Sequence, residues 1–103
     1  MGLTEYQTAA AEYALYEDVM YPVASLMVEA AELADLFIKP LLRGDEDAIN
    51  RKEVISEAGD VLWNLANLLA DFDVSLEHVA QYNLQKLEDR KARGVIKGSG
   101  GSR

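Results

Sequence analysis

The stretch AINRKEVISEAGDVLWNLANLLAD, residues 48–71, reads as one uninterrupted helix, and the rest of the chain is arranged around it. It contains no proline, and Val54, Glu57, Val61 and Leu68 return at helical spacing to a single stripe. Asp60, Asn64 and Asn67 form the polar border of that stripe. Gly59 is its weak point, costing about 1 kcal/mol against alanine. A glycine kept in a helix centre points to a close neighbour. Glu57 is the anomaly, because a carboxylate on a core-facing stripe is out of place unless a charge answers it.

A second acidic phrase precedes it. Glu29-Ala-Ala-Glu32 lies in a helix expected from about Val23 to Ile38 or Arg43, with Pro22 suited to its first turn and Pro40 expected to end or kink it. At about 100° per residue, Glu29 and Glu32 fall in one arc with Leu26, Leu33, Leu36 and Phe37. Gly44 is a good stop, and the acids Asp45, Glu46 and Asp47 suit the start of the next helix.

Two further helices flank this pair. The first is expected from Thr4 to about Asp18, carried by Tyr6, Ala9, Ala10, Tyr13 and Leu15, with Thr4 and Gln7 fitting a capping box. The last runs from a Ser75 cap to about Ala92, with Lys91 and Arg93 at the dipole-favoured end and Gly94 as its stop. On it Leu76, Val79 and Leu87 share a face with Asn83, Lys86 and Arg90. No strand alternation and no hairpin signal occurs. The expectation is therefore an all-α, four-helix-bundle-like domain over residues 1–94, followed by a mobile glycine- and serine-rich basic tail at 95–103.

Composition narrows the classes. With 103 residues, half of them hydrophobic and 27% charged, the chain makes one modest domain and is not disordered. It has no cysteine, which removes disulfides, thiolate metal sites and thiol catalysis. Residues 1–82 carry 16 acids and 4 bases, a balance of −12, whereas residues 83–103 carry six bases and two acids, a balance of +4. An acidic body argues against a nucleic-acid partner. No signal peptide and no bilayer-length apolar run is evident, so a soluble, cytoplasmic protein with no membrane partner is expected.

The acids themselves select a counter-ion. Two carboxylates about 4 Å apart repel by roughly 4 kcal/mol at an effective dielectric of 20, so they take up protons or bind a cation. A single such pair would be read as a solvated helix face. Two pairs on apolar stripes are less easily dismissed. The only histidine, His78, directly follows Glu77 and lacks the spacing of a di-iron bundle ligand, and Asp45-Glu46-Asp47 lacks a calcium-loop pattern. Hard oxygen donors favour Mg²⁺, with Mn²⁺ as the substitute.

Lys86 and Arg90, one turn apart, provide a point charge and a bidentate fork for phosphate. They could instead pair with the acids in a self-satisfied network. Trp63 could stack on a base or belong to the core or an oligomer interface, and the same choice holds for Tyr13, Tyr16 and Tyr82.

These motifs carry a resemblance. Leu26-Met-Val-Glu-Ala-Ala-Glu-Leu33, Glu57-Ala-Gly-Asp-Val-Leu-Trp63 and Asn83-Leu-Gln-Lys-Leu-Glu-Asp-Arg90 resemble, in order and spacing, the MazG-like all-α nucleoside triphosphate pyrophosphohydrolases. Tyr6-Gln7 and the ending after Arg93 resemble one branch of small MazG-like proteins. The resemblance implies Mg²⁺ on Glu29, Glu32, Glu57 and Asp60, and Lys86 and Arg90 facing the phosphates. It implies cleavage between the α and β phosphates to a monophosphate and pyrophosphate, with Asn83 and Trp63 as nucleotide contacts. It further implies a homodimer or homotetramer with sites near subunit contacts. Many relatives carry an additional acid where this chain has Ser56, which leaves open the number of ions and the residue that orients the water.

For the general base, Glu32 and Glu57 stand level. Three readings follow. The first is a Mg²⁺-dependent pyrophosphohydrolase that clears or balances nucleotide pools. The second is a phosphoribosyl-ATP pyrophosphohydrolase-like enzyme, and the third a non-catalytic helical oligomer that binds nucleotide or metal.

Overall fold

In a computed structural model of the chain, residues 1–94 are described; the glycine- and serine-rich end at 95–103 lies outside the described residues. Four α-helices follow one another: α1 Leu3–Ala11, α2 Met20–Leu42, α3 Arg51–Asp71 and α4 Leu76–Ala92, with a 3₁₀ turn at Glu46–Ala48. No strand occurs among the described residues, so the all-α expectation holds.

The helix ends follow local chemistry, and four differ from the sequence reading, α2 among them, since it starts at Met20 rather than at about Val23. At the start of α1 the Gly2 amide donates to Glu5 Oε1 at 2.7 Å, so Glu5 rather than the Thr4–Gln7 pair caps this end. The helix stops at Ala11, well short of Asp18, because the Glu12, Tyr13 and Ala14 amides close on carbonyls three residues back. Beyond that point Tyr16 is drawn away, its hydroxyl donating to Asp71 Oδ2 at 2.7 Å.

Pro22 sits in the first turn of α2, as expected, while Pro40 removes one hydrogen bond near the far end and the helix continues to Leu42. The chain leaves through Gly44 at φ +71°, a left-handed conformation suited to glycine. α3 begins at Arg51 rather than Ala48, since the acids before it form the 3₁₀ turn and Asn50 Oδ1 takes the Glu53 amide at 3.1 Å. Ser75 caps α4 as expected, its Oγ accepting from the His78 amide at 2.9 Å.

α2 and α3 form the most extensive pairing, joined by the short connection at 43–50 as an antiparallel hairpin. α1 lies on α3 and reaches α4, whereas α4 makes no contact with α2. The core is small: Ala10, Ala66 and Leu76 are buried, backed by Leu3, Tyr6, Leu62, Trp63, Leu65 and Leu69. One side chain ties three elements to it. Gln7 Nε2 donates to the carbonyls of Ala66 at 3.0 Å and Val74 at 3.1 Å, and Gln7 Oε1 accepts from the Leu76 amide at 2.9 Å.

Much apolar surface stays outside. Met27 and Val28 on α2, Ile55 on α3, and Tyr82 and Leu84 on α4 are all more than half exposed. The face of α4 expected to be internal is buried only at Leu76, with Val79 and Leu87 exposed. Beyond Leu76 this stripe is left largely uncovered by the described helices, α4 touching α1 and α3 but not α2. Gly59 also departs from expectation, since a Cβ there would meet nothing within 4 Å. None of the described helices is long and apolar enough to cross a membrane.

Candidate metal centre

The α2–α3 hairpin gathers three of the four predicted acids. Glu57 and Asp60 stand one turn apart on α3, and Glu29 approaches from α2, so that one carboxylate oxygen from each lies within 4.8 Å of the other two. Glu29 and Glu57 are half-buried, and Asp60 is exposed. Glu32 stands outside the triad, exposed and about 60° further round α2 than Glu29 at the advance of a helix. Its charge still acts on Glu29.

The electrostatics are those of an acid cluster without a counter-ion among the described residues. The Glu29 carboxyl is raised from 4.5 to about 7, first by the hydrogen bond it shares with Glu57, then by burial, then by the charges of Glu32, Asp60 and Glu57. Glu57 Oε1 is buried without any hydrogen-bond partner. Among the described residues no lysine or arginine pairs with these acids; the ion pair present is Arg93 with Asp89 at 2.9 Å on the surface of α4. The alternative in which Lys86 or Arg90 neutralises the cluster is therefore not what the chain forms. Converging hard oxygens and an orphaned carboxylate oxygen fit a divalent cation.

This cluster gives a pH signature with a defined sign. The folded-state value of Glu29 lies above its unfolded value, so the folded state binds the extra proton between about pH 4.5 and 7. Its contribution to stability is complete below that window and is lost as pH rises through it. Melting of the cation-free protein should therefore fall from pH 5 to pH 8, and added Mg²⁺ should restore it most at pH 8. A melting temperature that rises across this range without cation would contradict the shared-proton arrangement.

The other predicted residues lie on α4 and against the core. Asn83 and Lys86 are exposed on α4, with Lys86 Nζ 6.0 Å from the Tyr82 ring centroid. Arg90 is half-buried. Trp63 packs half-buried against the core, edge-on to Tyr16 at 6.2 Å, and Tyr16 stacks on Tyr21 at 5.6 Å. One chain thus assembles the acid wall, while α4 carries the basic residues on a helix that makes no contact with α2.

Sequence reasoning missed three residues near this site. Asn64 and Asn67, expected on a polar border, are buried at 3% and 2% exposure. The Tyr6 hydroxyl is raised by burial and by the charge of Asp60, which brings α1 alongside the acids. Buried asparagines could have been suspected from their apolar neighbours on both sides. The position of Tyr6 depends on how α1 docks and leaves no local signal.

Comparison with known proteins fits this arrangement. A family model described as the MazG nucleotide pyrophosphohydrolase domain matches residues 21–95, taking in the acids of α2 and α3 and the basic residues of α4 and leaving α1 outside. The chain is 41% identical to the Gene 37 protein of Mycobacterium phage L5 over an alignment of 115 residues that covers the whole of both. No solved structure matches the chain.

Proposed function

The chain belongs to the MazG nucleotide pyrophosphohydrolase domain family, and from that premise we propose that it is a Mg²⁺-dependent enzyme hydrolysing nucleoside or deoxynucleoside triphosphates to the monophosphate and pyrophosphate. The observation that carries this reading is the triad of Glu29, Glu57 and Asp60, with its oxygens within 4.8 Å and, among the described residues, no basic partner. These residues, with Glu32 beside them, would hold the cation. When bound, Mg²⁺ supplies neutralisation of the phosphate oxygens and a water acidified enough to attack at neutral pH.

The remaining roles belong to the chain. Glu57 or Glu32 accepts the proton of the attacking water; the new bond forms at the α phosphorus, and the bond to the bridging oxygen breaks to release pyrophosphate. Glu57 offers a buried oxygen with no other partner, and Glu32 an exposed carboxylate. Lys86 and Arg90 neutralise the β and γ phosphates as they leave, and Asn83 contacts the nucleotide. Trp63, one turn from Asp60, lines the approach to the base. Clearing or balancing nucleotide pools is the role such a reaction serves.

A panel of nucleoside triphosphates with Mg²⁺, read for monophosphate and pyrophosphate, tests the proposal. Pyrophosphate release from at least one substrate, dependent on Mg²⁺ or Mn²⁺, is expected. Silence across the panel would favour a non-catalytic nucleotide- or metal-binding oligomer.

The active form is a homodimer or homotetramer. This is supported by the apolar residues left outside on α2 and α4, including Met27 at 70% and Leu84 at 68% exposure. A second chain packed there would also give the inner face of α4 a neighbour. Light scattering should return a mass of at least two chains; a monomer at micromolar concentration would refute the assembly.

A further inference from the structure

Among the described residues, two buried side-chain oxygens have no hydrogen-bond partner, Glu57 Oε1 and Asn64 Oδ1. They lie two helical turns apart on one face of α3, with Asp60 between them. The Asn64 amide is fixed in orientation because its Nδ2 donates to the Asp60 carbonyl at 2.9 Å. Turning the amide over would present an oxygen to that carbonyl and lose the bond. Asn67 repeats the same donation one turn on, with Nδ2 to the Trp63 carbonyl at 3.0 Å, so this bond alone is ordinary helix chemistry. What separates the two is that the Asn64 oxygen is enclosed with no donor, on a residue only 3% exposed. Buried amide oxygens are seldom left so.

We infer that Asn64 is a positioning residue of the cation site, its amide oxygen accepting a hydrogen bond from a water held at the Glu29–Glu57–Asp60 triad. The inference rests on the proposed cation site. Along α3, Asn64 lies about 6 Å beyond Asp60, a span that one water bridges. Mg²⁺ gives up its waters reluctantly, so a site with few protein ligands needs neutral acceptors around it to orient them. An asparagine does this without adding a further negative charge to three carboxylates whose oxygens already lie within 4.8 Å of one another.

Calorimetric titration with MgCl₂ alone tests this on the full chain and on Glu57→Gln, Asn64→Leu and Asn64→Asp. Asn64→Leu, which removes the acceptor, should bind Mg²⁺ about tenfold or more weakly. Its melting temperature without cation should be unchanged or higher, since the orphaned oxygen goes as well. Asn64→Asp keeps an acceptor in the same place and should bind Mg²⁺ at least as tightly as the natural chain.

Unchanged affinity in Asn64→Leu overturns the inference, as does equal weakening in both variants. If Asn64→Leu does not fold, Asn64→Asp decides alone, because a merely structural amide predicts weakened binding once the bond to the Asp60 carbonyl is lost. Loss of binding in Glu57→Gln with full binding in Asn64→Leu removes this inference and leaves the triad standing. Full binding in Glu57→Gln removes both.

Discussion

Glu57→Gln is expected to lose about 10²–10³-fold or more in turnover while remaining folded, with a cation-free melting temperature equal to or above that of the natural chain. The two halves of this expectation come from one arrangement. Glu57 stands with Glu29 and Asp60 in a group of acids whose oxygens lie within 4.8 Å, and its Oε1 is buried and has no partner among the described residues. Without a cation, such a cluster destabilises through like-charge repulsion, and the amide removes one charge while keeping the shape. With substrate present, the same change takes away a hard anionic ligand and a candidate proton acceptor. Paired assays of pyrophosphate release and thermal melting check both halves. Retained turnover would remove Glu57 from the site, and collapse of the fold would mean the acid is structural.

Gln7→Ala should destabilise the protein by roughly 2–4 kcal/mol, which for a domain of this size lowers the melting temperature by more than about 10 °C. Gln7 bonds to Ala66 and Val74 and receives the Leu76 amide, partners 59 to 69 residues away in sequence. All three contacts are part-buried, and truncation leaves two carbonyls and an amide without their partner. The loss should fall on α1 and on the turn between α3 and α4, so hydrogen exchange should quicken at the Leu76 amide and in α1 before the α2–α3 hairpin. A shift of only a degree or two would show that α1 is held by its apolar contacts alone.

How far the residues announced this structure depends on whether the signal was local. The Ser75 cap, Gly44 and Gly94 were legible because each acts within one turn of the chain, and the observed cap and both positive φ values answer them. The three-residue spacing of Glu57 and Asp60 was legible for the same reason. That Glu29 rather than Glu32 completes the triad was not, since both lie in one arc and only the docking of α3 chooses between them. The early end of α1 was hidden because the bond drawing Tyr16 away is to Asp71, 55 residues on. Gln7 was assigned to a cap for want of any local sign of its distant partners. The apolar stripe of α4 was read correctly as a stripe but placed inside, because periodicity tells which face is apolar and not whether another helix packs on it.

The packing of Trp63 has a practical consequence. It is the single tryptophan of the chain, standing one turn beyond Asp60, half-buried and edge-on to Tyr16, which in turn stacks on Tyr21. Light absorbed by those two tyrosines passes efficiently to one indole over such separations. The protein therefore carries its own optical reporter one helical turn from Asp60, with which the proposed cation binding can be tested without any label.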